Sequence, residues 1–218
     1  MLITSIDQCA MAEFQNAITS VAFFQGCDMN CAFCQNPDLI PKKSEKTVDM
    51  DAEVAFIALG VINVDWVSFS GGEPLRQDDF NGLHDLARRI KKAGKKLNLD
   101  TNGDFSTRLK RDRLYALHPY LDCVSVDIKE IGNSMYLNYL RVSLGQAQLI
   151  PKTRFRMVMY KNKPVTVNKV LIEGLIKEIR LINNSGKGKG AGIEPATEDE
   201  MDKVSEDFEQ AGVLVKRG

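Results

Sequence analysis

The chain has 218 residues, enough for one well-filled domain of the larger kind. Apolar residues make up 44% and charged residues 27%, and 29 Lys+Arg stand against 29 Asp+Glu. That balance excludes a general attraction to nucleic acid or to an acidic membrane. No apolar run approaches the roughly 20 residues of a membrane span. Residues Met1–Ala10 lack the basic start and apolar stretch of a secretory signal, so the expected setting is the cytoplasm.

In chain order, short β-branched runs alternate with segments of helical spacing. Residues 18–24 predict a first strand leading into a crowded group of cysteines. Residues 64–70 predict a second strand, 96–101 a third, 121–128 a fourth, 154–160 a fifth and 191–195 a short sixth. Phe80, Leu83, Leu86, Ala87 and Ile90 share one helical face, and Val167, Leu171, Leu175 and Ile179 share another. Met201, Val204, Phe208 and Ala211 line a last helix, which Thr197 and Glu200 open in capping-box relation. Alternating strands and helices imply parallel strands with right-handed crossovers. A closed eight-fold barrel takes about 250 residues. The expectation is therefore an α/β fold over 1–218 as a single domain: an open, partial TIM-like barrel of about six parallel strands. A doubly wound sheet is the alternative. In both, ligands gather at the carboxyl ends of the strands. The notable residues fall there: the cysteines after the first strand, Gly71–Pro74 after the second, Thr101–Gly103 after the third and Asp127–Lys129 at the end of the fourth.

Cys27, Cys31 and Cys34 place three of the five cysteines within eight residues, spaced Cys-x-x-x-Cys-x-x-Cys. Crowded thiols in a reducing compartment bind metal more often than they form disulfides. A structural zinc site wants four ligands, and Cys9 and Cys123 are too scattered to supply an obvious fourth. In a four-iron cubane each iron takes one thiolate. Three cysteines on a tight loop can hold three irons and leave one for a small chelating ligand. On the triplet alone, a zinc site and reduced core cysteines stay open.

With Phe33 as the aromatic before the last cysteine, the triplet resembles the signature of the radical S-adenosylmethionine (SAM) enzymes. The resemblance implies a 4Fe-4S cluster on Cys27, Cys31 and Cys34, with the amino and carboxylate groups of SAM on the open iron. It implies one-electron cleavage of SAM to a 5′-deoxyadenosyl radical that abstracts a hydrogen atom, and it puts Phe33 among the cofactor-binding residues. Gly71, Gly72, Glu73 and Pro74 resemble the family's contact with the methionine amino group of SAM; read alone, they are a strand-to-helix turn with Pro74 starting the helix. Asp100-Thr101-Asn102-Gly103 and Asp127-Ile128-Lys129 resemble a motif pair of the activating enzymes of glycyl radical enzymes. That likeness implies Asp100, Thr101 and Asp127 around a Na+ or K+ ion beside the SAM carboxylate, with Asn102 and Lys129 on the cofactor side. Oxygen donors suit a hard cation, and a cation offsets the crowding of carboxylates. Arg156 matches an arginine that touches SAM in these enzymes; a salt bridge at the rim is the equal alternative. Where the family often has a histidine after the sixth strand, Thr197 stands nearby.

Residues 14–27, 34–41 and 194–215 resemble the anaerobic ribonucleotide reductase activating proteins, whereas Ile131–Thr153 matches poorly. The resemblance implies an anaerobic activase acting on a glycine of that reductase, or secondly of a pyruvate formate-lyase type enzyme. It also implies an electron donor of flavodoxin or ferredoxin type. Cys9 and Cys123 are too few for another four-cysteine cluster. The alternatives are a small-molecule radical SAM enzyme such as a 7-carboxy-7-deazaguanine synthase, a ribosomal peptide modifier, and a non-enzymatic metal-binding module. Gly186–Gly192 reads as a flexible loop rather than a phosphate loop, since it precedes a strand and lacks the Lys-Ser/Thr order. His84 and His118 read as surface residues and Cys123 as a small core residue.

Overall fold

The structure, a computed structural model, describes every residue except Ala12, Gln15, Glu130, residues 185–191 and Gly218. The chain forms two compact units from interleaved segments: Met1–Asn30, Asp38–Thr101 and Leu109–Val124 in the first, Cys31–Pro37, Asn102–Arg108 and Ser125–Gly218 in the second.

The first unit is built on strands β1 (Leu2–Ala10), β2 (Thr19–Phe24), β3 (Val48–Asp49), β4 (Trp66–Gly71) and β5 (Lys96–Thr101). Their order in the sheet is β3-β1-β2-β4-β5. β2, β4 and β5 are parallel, while β1 runs antiparallel to β2 and to β3. The parallel strands carry almost unbroken buried runs, Val21, Ala22 and Phe24, then Val67 and Phe69, then Leu97 and Leu99. Such runs suit strands covered on both faces. Helices α1 (Ala52–Ala58), α2 (Phe80–Lys92) and α3 (Arg108–Leu117) complete this unit. α2 starts where the Asp79 carboxylate accepts from Gly82 N–H, and it buries Leu83, Leu86, Ala87 and Ile90 of the face read from the sequence, with Phe80 at its start only half-buried.

β6 (Cys123–Asp127) begins in the first unit, where Asp122 N–H donates to Leu97 O at 2.9 Å, and ends in the second, where Ile128 N–H donates to Arg156 O at 2.7 Å. The second unit continues with α4 (Ser134–Gln146), β7 (Thr153–Met159), α5 (Lys169–Ile172), β8 (Glu178–Asn183), α6 (Glu198–Gln210) and β9 (Leu214–Arg217). β7, β8 and β9 are parallel neighbours. The capping box of α6 is present as expected, with Thr197 Oγ1 accepting from Glu200 N–H and Glu200 returning to the Thr197 N–H. Among the described residues no helix is long and apolar enough to cross a membrane.

The α/β class with mostly parallel strands is as expected, but the strand inventory differs. The expected sixth strand at 191–195 does not form over its described residues 192–195, and β8 supplies that role at 178–183. Ile179 stands four residues after Leu175 and two before Leu181, so it fits a helical and a strand period at once. The strand wins: Ile179 and Leu181 are buried and Arg180 between them is exposed. The helix expected through Ile179 is therefore only the four residues of α5. The short β9 and the antiparallel pair β1 and β3 are additions to the expected set. The Gly186–Gly192 loop falls, apart from Gly192, outside the described residues.

Candidate active site

The exits of β2 and β4 lie side by side, with Phe24 opposite Gly71 in parallel register. The ladder runs on past both strands: Gly72 N–H donates to Phe24 O at 2.9 Å and Glu73 N–H to Gly26 O at 2.8 Å. A Cβ on Gly71, itself at φ 106°, would stand 2.4 Å from Phe24 N, and one on Gly72 would stand 2.2 Å from Gly26 O. The glycine pair is thus demanded by the backbone that leads to Cys27, a tighter constraint than the turn read from the sequence. Gln25, 2% exposed, closes the loop's base. Its amide donates to Asp38 O at 2.8 Å and Pro41 O at 2.6 Å, while its carbonyl side accepts from Thr4 Oγ1 at 2.6 Å.

Glu73 is fully buried. Its carboxylate accepts from Leu75 N–H at 3.2 Å, capping a 3-10 turn over Pro74–Arg76, and from Thr101 Oγ1 at 3.0 and 3.1 Å. Asp100, next to Thr101 in sequence, is buried and accepts from Asn98 Nδ2 at 2.9 Å. Next to Cys27, the Asp28 carboxylate meets the Lys110 ammonium at 2.9 Å, with the Lys110 side chain fully buried and that of Asp28 20% exposed. Met29 N–H points at Cys27 Sγ, 3.5 Å away. All of these residues belong to the first unit.

In the second unit Cys31 and Cys34 are joined by a turn in which Cys34 N–H donates to Cys31 O at 3.2 Å. Between them Phe33 is buried, its ring centroid 5.4 Å from that of Tyr160. The ammonium groups of Lys163 and Lys129 stand 5.1 and 5.5 Å from the Phe33 centroid. Burial pushes the Cys31 thiol up; Lys129 pulls against it, Cys34 adds to the rise and Lys163 opposes it, leaving the pKa raised. Burial and the like charge of Lys129 push the Lys163 ammonium down to about 8.

Arg156 Nε donates to Asp127 Oδ1 at 2.9 Å, and Lys129 Nζ stands 3.6 Å from Asp127 Oδ2. Burial raises the Asp127 pKa, but the charges of Lys129 and Arg156 and their hydrogen bonds outweigh it and hold the carboxyl below the usual range. Arg154, on the same face of β7, donates instead to Ser125 Oγ at 2.7 Å. Asn102-Gly103 makes the expected turn: Asn102 Oδ1 accepts from Asp104 N–H at 3.0 Å, and Gly103 takes φ 70°, where a Cβ would stand 2.7 Å from the Tyr136 hydroxyl.

Each unit thus gathers part of the expected set, Cys27, Gly71–Pro74, Asp100 and Thr101 in one, and Cys31, Phe33, Cys34, Asn102, Asp127, Lys129 and Arg156 in the other. Among the described residues no three His, Cys, Asp or Glu side chains converge as the donors of a single ion. A cubane asks for something else, one thiolate at each of three corners. The donor chemistry fits that demand: Cys27, Cys31 and Cys34 are half-buried and in no disulfide, two ammonium groups stand near the Phe33 ring between the last two, and a backbone N–H points at a sulfur. Thr197 is occupied as the helix cap. His84 lies against Tyr120, ring centroids 5.1 Å apart. Cys123 is buried as expected and Cys9 is exposed.

Sequence reasoning missed Gln25, Asp28, Lys110, Tyr160 and Lys163. Gln25 carried a weak signal, a polar residue ending an apolar strand. Lys110 carried none: α3 also holds Arg108, Arg111 and Arg113, and only the helix rotation decides which cation turns inward.

Residues 21–148 match the model of the Radical SAM superfamily. The chain is 30% identical over 161 residues to the pyruvate formate-lyase-activating enzyme of Listeria monocytogenes, covering 71% of this chain and 62% of that protein. It is 28% identical over 176 residues to the pyruvate formate-lyase 1-activating enzyme of Escherichia coli, covering 79% and 68%. It is also 28% identical over 131 residues to a provisionally named glycyl-radical enzyme activating enzyme of Methanocaldococcus jannaschii, covering 59% and 50%. The chain spans about three fifths of the length of the Listeria relative. Among solved structures, SuiB of Streptococcus suis bound to S-adenosylmethionine matches with a TM-score of 0.58 at 15% identity, over 88% of this chain and 48% of that one. At that identity the likeness is one of fold, the α/β partial-barrel class expected from the sequence.

Proposed function

Because the chain belongs to the radical SAM superfamily, we propose that it is an activating enzyme that removes a hydrogen atom from a backbone glycine of a partner glycyl radical enzyme. Cys27, Cys31 and Cys34 are the residues that would hold a 4Fe-4S cluster. When bound, the cluster supplies the electron that cleaves SAM, and SAM supplies the radical that takes the hydrogen. The observation that carries the reading is the cysteine loop itself: three thiols in no disulfide follow β2 inside the matched segment, and the backbone leading to the first of them, Cys27, is braced by Gly71, Gly72 and Gln25.

The chain's own residues set the conditions. Glu73 stiffens the Gly-Gly turn from within, because Thr101 and Leu75 take up its carboxylate. Arg156 and Lys129 hold Asp127 ionised and oriented. A monovalent cation on Asp100, Thr101 and Asp127 belongs to the proposal as well. Residues 1–218 are proposed to work as one catalytic domain, since the two units interleave in sequence rather than following one another across a linker.

A pyruvate formate-lyase type enzyme is the first candidate partner, supported by the names of the relatives. Anaerobic ribonucleotide reductase, favoured by the likeness of residues 14–27, 34–41 and 194–215, is the second. The proposal includes a flavodoxin- or ferredoxin-type donor and the cytoplasm as setting, the latter supported by five cysteines that form no disulfide. The balanced charge supports a role without nucleic acid.

The test is anaerobic reconstitution with iron and sulfide. A brown protein absorbing at ~410 nm that releases 5′-deoxyadenosine from SAM on reduction is expected, its cluster held by thiolates. Incubation with each candidate partner should then give a glycyl radical doublet in electron paramagnetic resonance (EPR). A colourless protein that keeps zinc would sink the enzyme reading. SAM cleavage with no doublet on either partner would move the substrate outside this class.

A further inference from the structure

The segment after β7 is a tight turn aimed at the cysteine loop. Lys163 N–H donates to Tyr160 O at 3.0 Å, and Lys161 N–H to Glu194 O at 3.0 Å. Asn162 takes φ 60°, a left-handed conformation that asparagine tolerates. Its N–H donates to Glu200 Oε1 at 2.7 Å, which ties the turn to the first turn of α6. So anchored, the turn brings two side chains to Phe33. The Tyr160 ring lies 5.4 Å away at a 32° tilt, and the Lys163 ammonium sits 5.1 Å from the Phe33 centroid and 5.5 Å from that of Tyr160. The residue between Cys31 and Cys34 is therefore held from the far side of the second unit's sequence by an aromatic ring and a cation.

Among the described residues two lysines, Lys129 and Lys163, stand near this ring, and they are not equivalent. Lys129 stands 3.6 Å from the Asp127 carboxylate, so part of its charge is answered locally. Lys163 gives its hydrogen bond to a neutral group, the Val158 carbonyl. An ammonium is attracted to an aromatic face, and more strongly as water is excluded.

We propose that Lys163 is a positioning residue for the cysteine loop and that its charge raises the reduction potential of the cluster held there. The proposal rests on the reading of Cys31 and Cys34 as cluster ligands. Reduction adds one negative charge to the cluster. A fixed positive charge nearby stabilises the reduced form more than the oxidised one, and net charge is among the terms that set such potentials. The seat against Phe33 keeps the charge at a constant place, which a lysine free in solvent could not do.

The experiment has two arms. In the full chain before loading, the ε-methylene protons of Lys163 should be shifted upfield by the two rings in NMR spectra, and Phe33→Leu should remove most of that shift. In the loaded protein, the midpoint potential is measured by EPR-monitored titration for wild type, Lys163→Met and Lys163→Arg at equal iron and sulfide content. Lys163→Met should titrate at a more negative potential, and Lys163→Arg should return close to wild type. Equal potentials for wild type and Lys163→Met overturn the proposal. So does an equal shift in Lys163→Arg, which would assign the effect to shape rather than charge. If Lys163→Met loses iron that Lys163→Arg retains, the charge holds the loop as proposed; loss in both overturns that role. Wild type that takes up no cluster overturns the ligand assignment instead, and the NMR arm then decides the positioning role alone.

Discussion

The two flanks of the cysteine loop are built on different physics. Ahead of and just after Cys27, the chain is fixed by backbone contact: the β2–β4 ladder runs on through Gly72 and Glu73, and the only side chain tolerated at positions 71 and 72 is a hydrogen. A buried ion pair, Asp28 with Lys110, completes that flank. Around Cys31 and Cys34 the restraint comes from side chains, the Phe33 ring held by Tyr160, Lys163 and Lys129. Backbone ladders and buried pairs tolerate almost no displacement. Ring and ammonium contacts act over about 5–6 Å and weaken gradually. The contrast means that substitutions near Cys27 should act on stability, and substitutions near Cys31 on the electronic properties of what the loop holds.

The largest expected effect tests what both flanks serve. Cys31→Ala should bring reductive SAM cleavage down to background; undiminished release of 5′-deoxyadenosine would contradict the ligand assignment. Next, Lys110→Met should cost about 3 kcal/mol in urea unfolding of the unloaded protein, because removing one partner of a buried pair strands the other. Lys163→Met should cost under about 1 kcal/mol in the same assay, as methionine keeps most of the apolar contact with the two rings and only the ammonium–ring attraction is lost. Equal losses for these two would erase the contrast. Gly72→Ala should cost about 2 kcal/mol, since its methyl meets a backbone oxygen that cannot yield. Asp127→Ala should weaken SAM binding about tenfold, roughly 1.4 kcal/mol, measured by equilibrium binding to the loaded protein. Iron content should stay unchanged; loss of the cluster would make Asp127 structural.

The smallest effect concerns pH. Thr197 N–H, then Asn162 N–H, hold the Glu200 carboxyl below its usual pKa. The folded state therefore binds the proton less readily than the unfolded chain. The stabilisation is complete above about pH 4.3, the unfolded value, and fades as pH falls through the lower folded value. Glu200→Gln should remove that part of the acid dependence. A stability difference between wild type and variant that stays constant down to pH 3 would show that Glu200 is not titrating against those amides. Because Glu200 anchors Asn162, the same variant should also broaden the Lys163 resonances.

Much of this was legible beforehand. β5 is predicted at its observed bounds and the buried face of α2 at Leu83, Leu86, Ala87 and Ile90, with Phe80 only half-buried at the helix start, because buried parallel strands and amphipathic helices write their periods strongly. The capping box at Thr197 and the Asn102-Gly103 turn were readable for a related reason: both are closed by neighbours in sequence. β8 was not, since Ile179 fits two periods and the choice is made by what packs on it. Arg156 was left between a ligand and a rim ion pair. The structure pairs it with Asp127, a residue on another strand that no local pattern selects.

The sequence by itself determined the chemistry on offer: three thiols at fixed spacing, glycines and carboxylates at strand exits, and the order of strands and helices that brings exits together. Spacing along a chain sets those facts because covalent geometry and local hydrogen bonding do. Which cation turns inward to Asp28, which lysine rests on Phe33, and why Gly71 and Gly72 admit no side chain were decided only by tertiary structure. Each depends on the distance between segments remote in sequence, and both packing and Coulomb energy are functions of that distance.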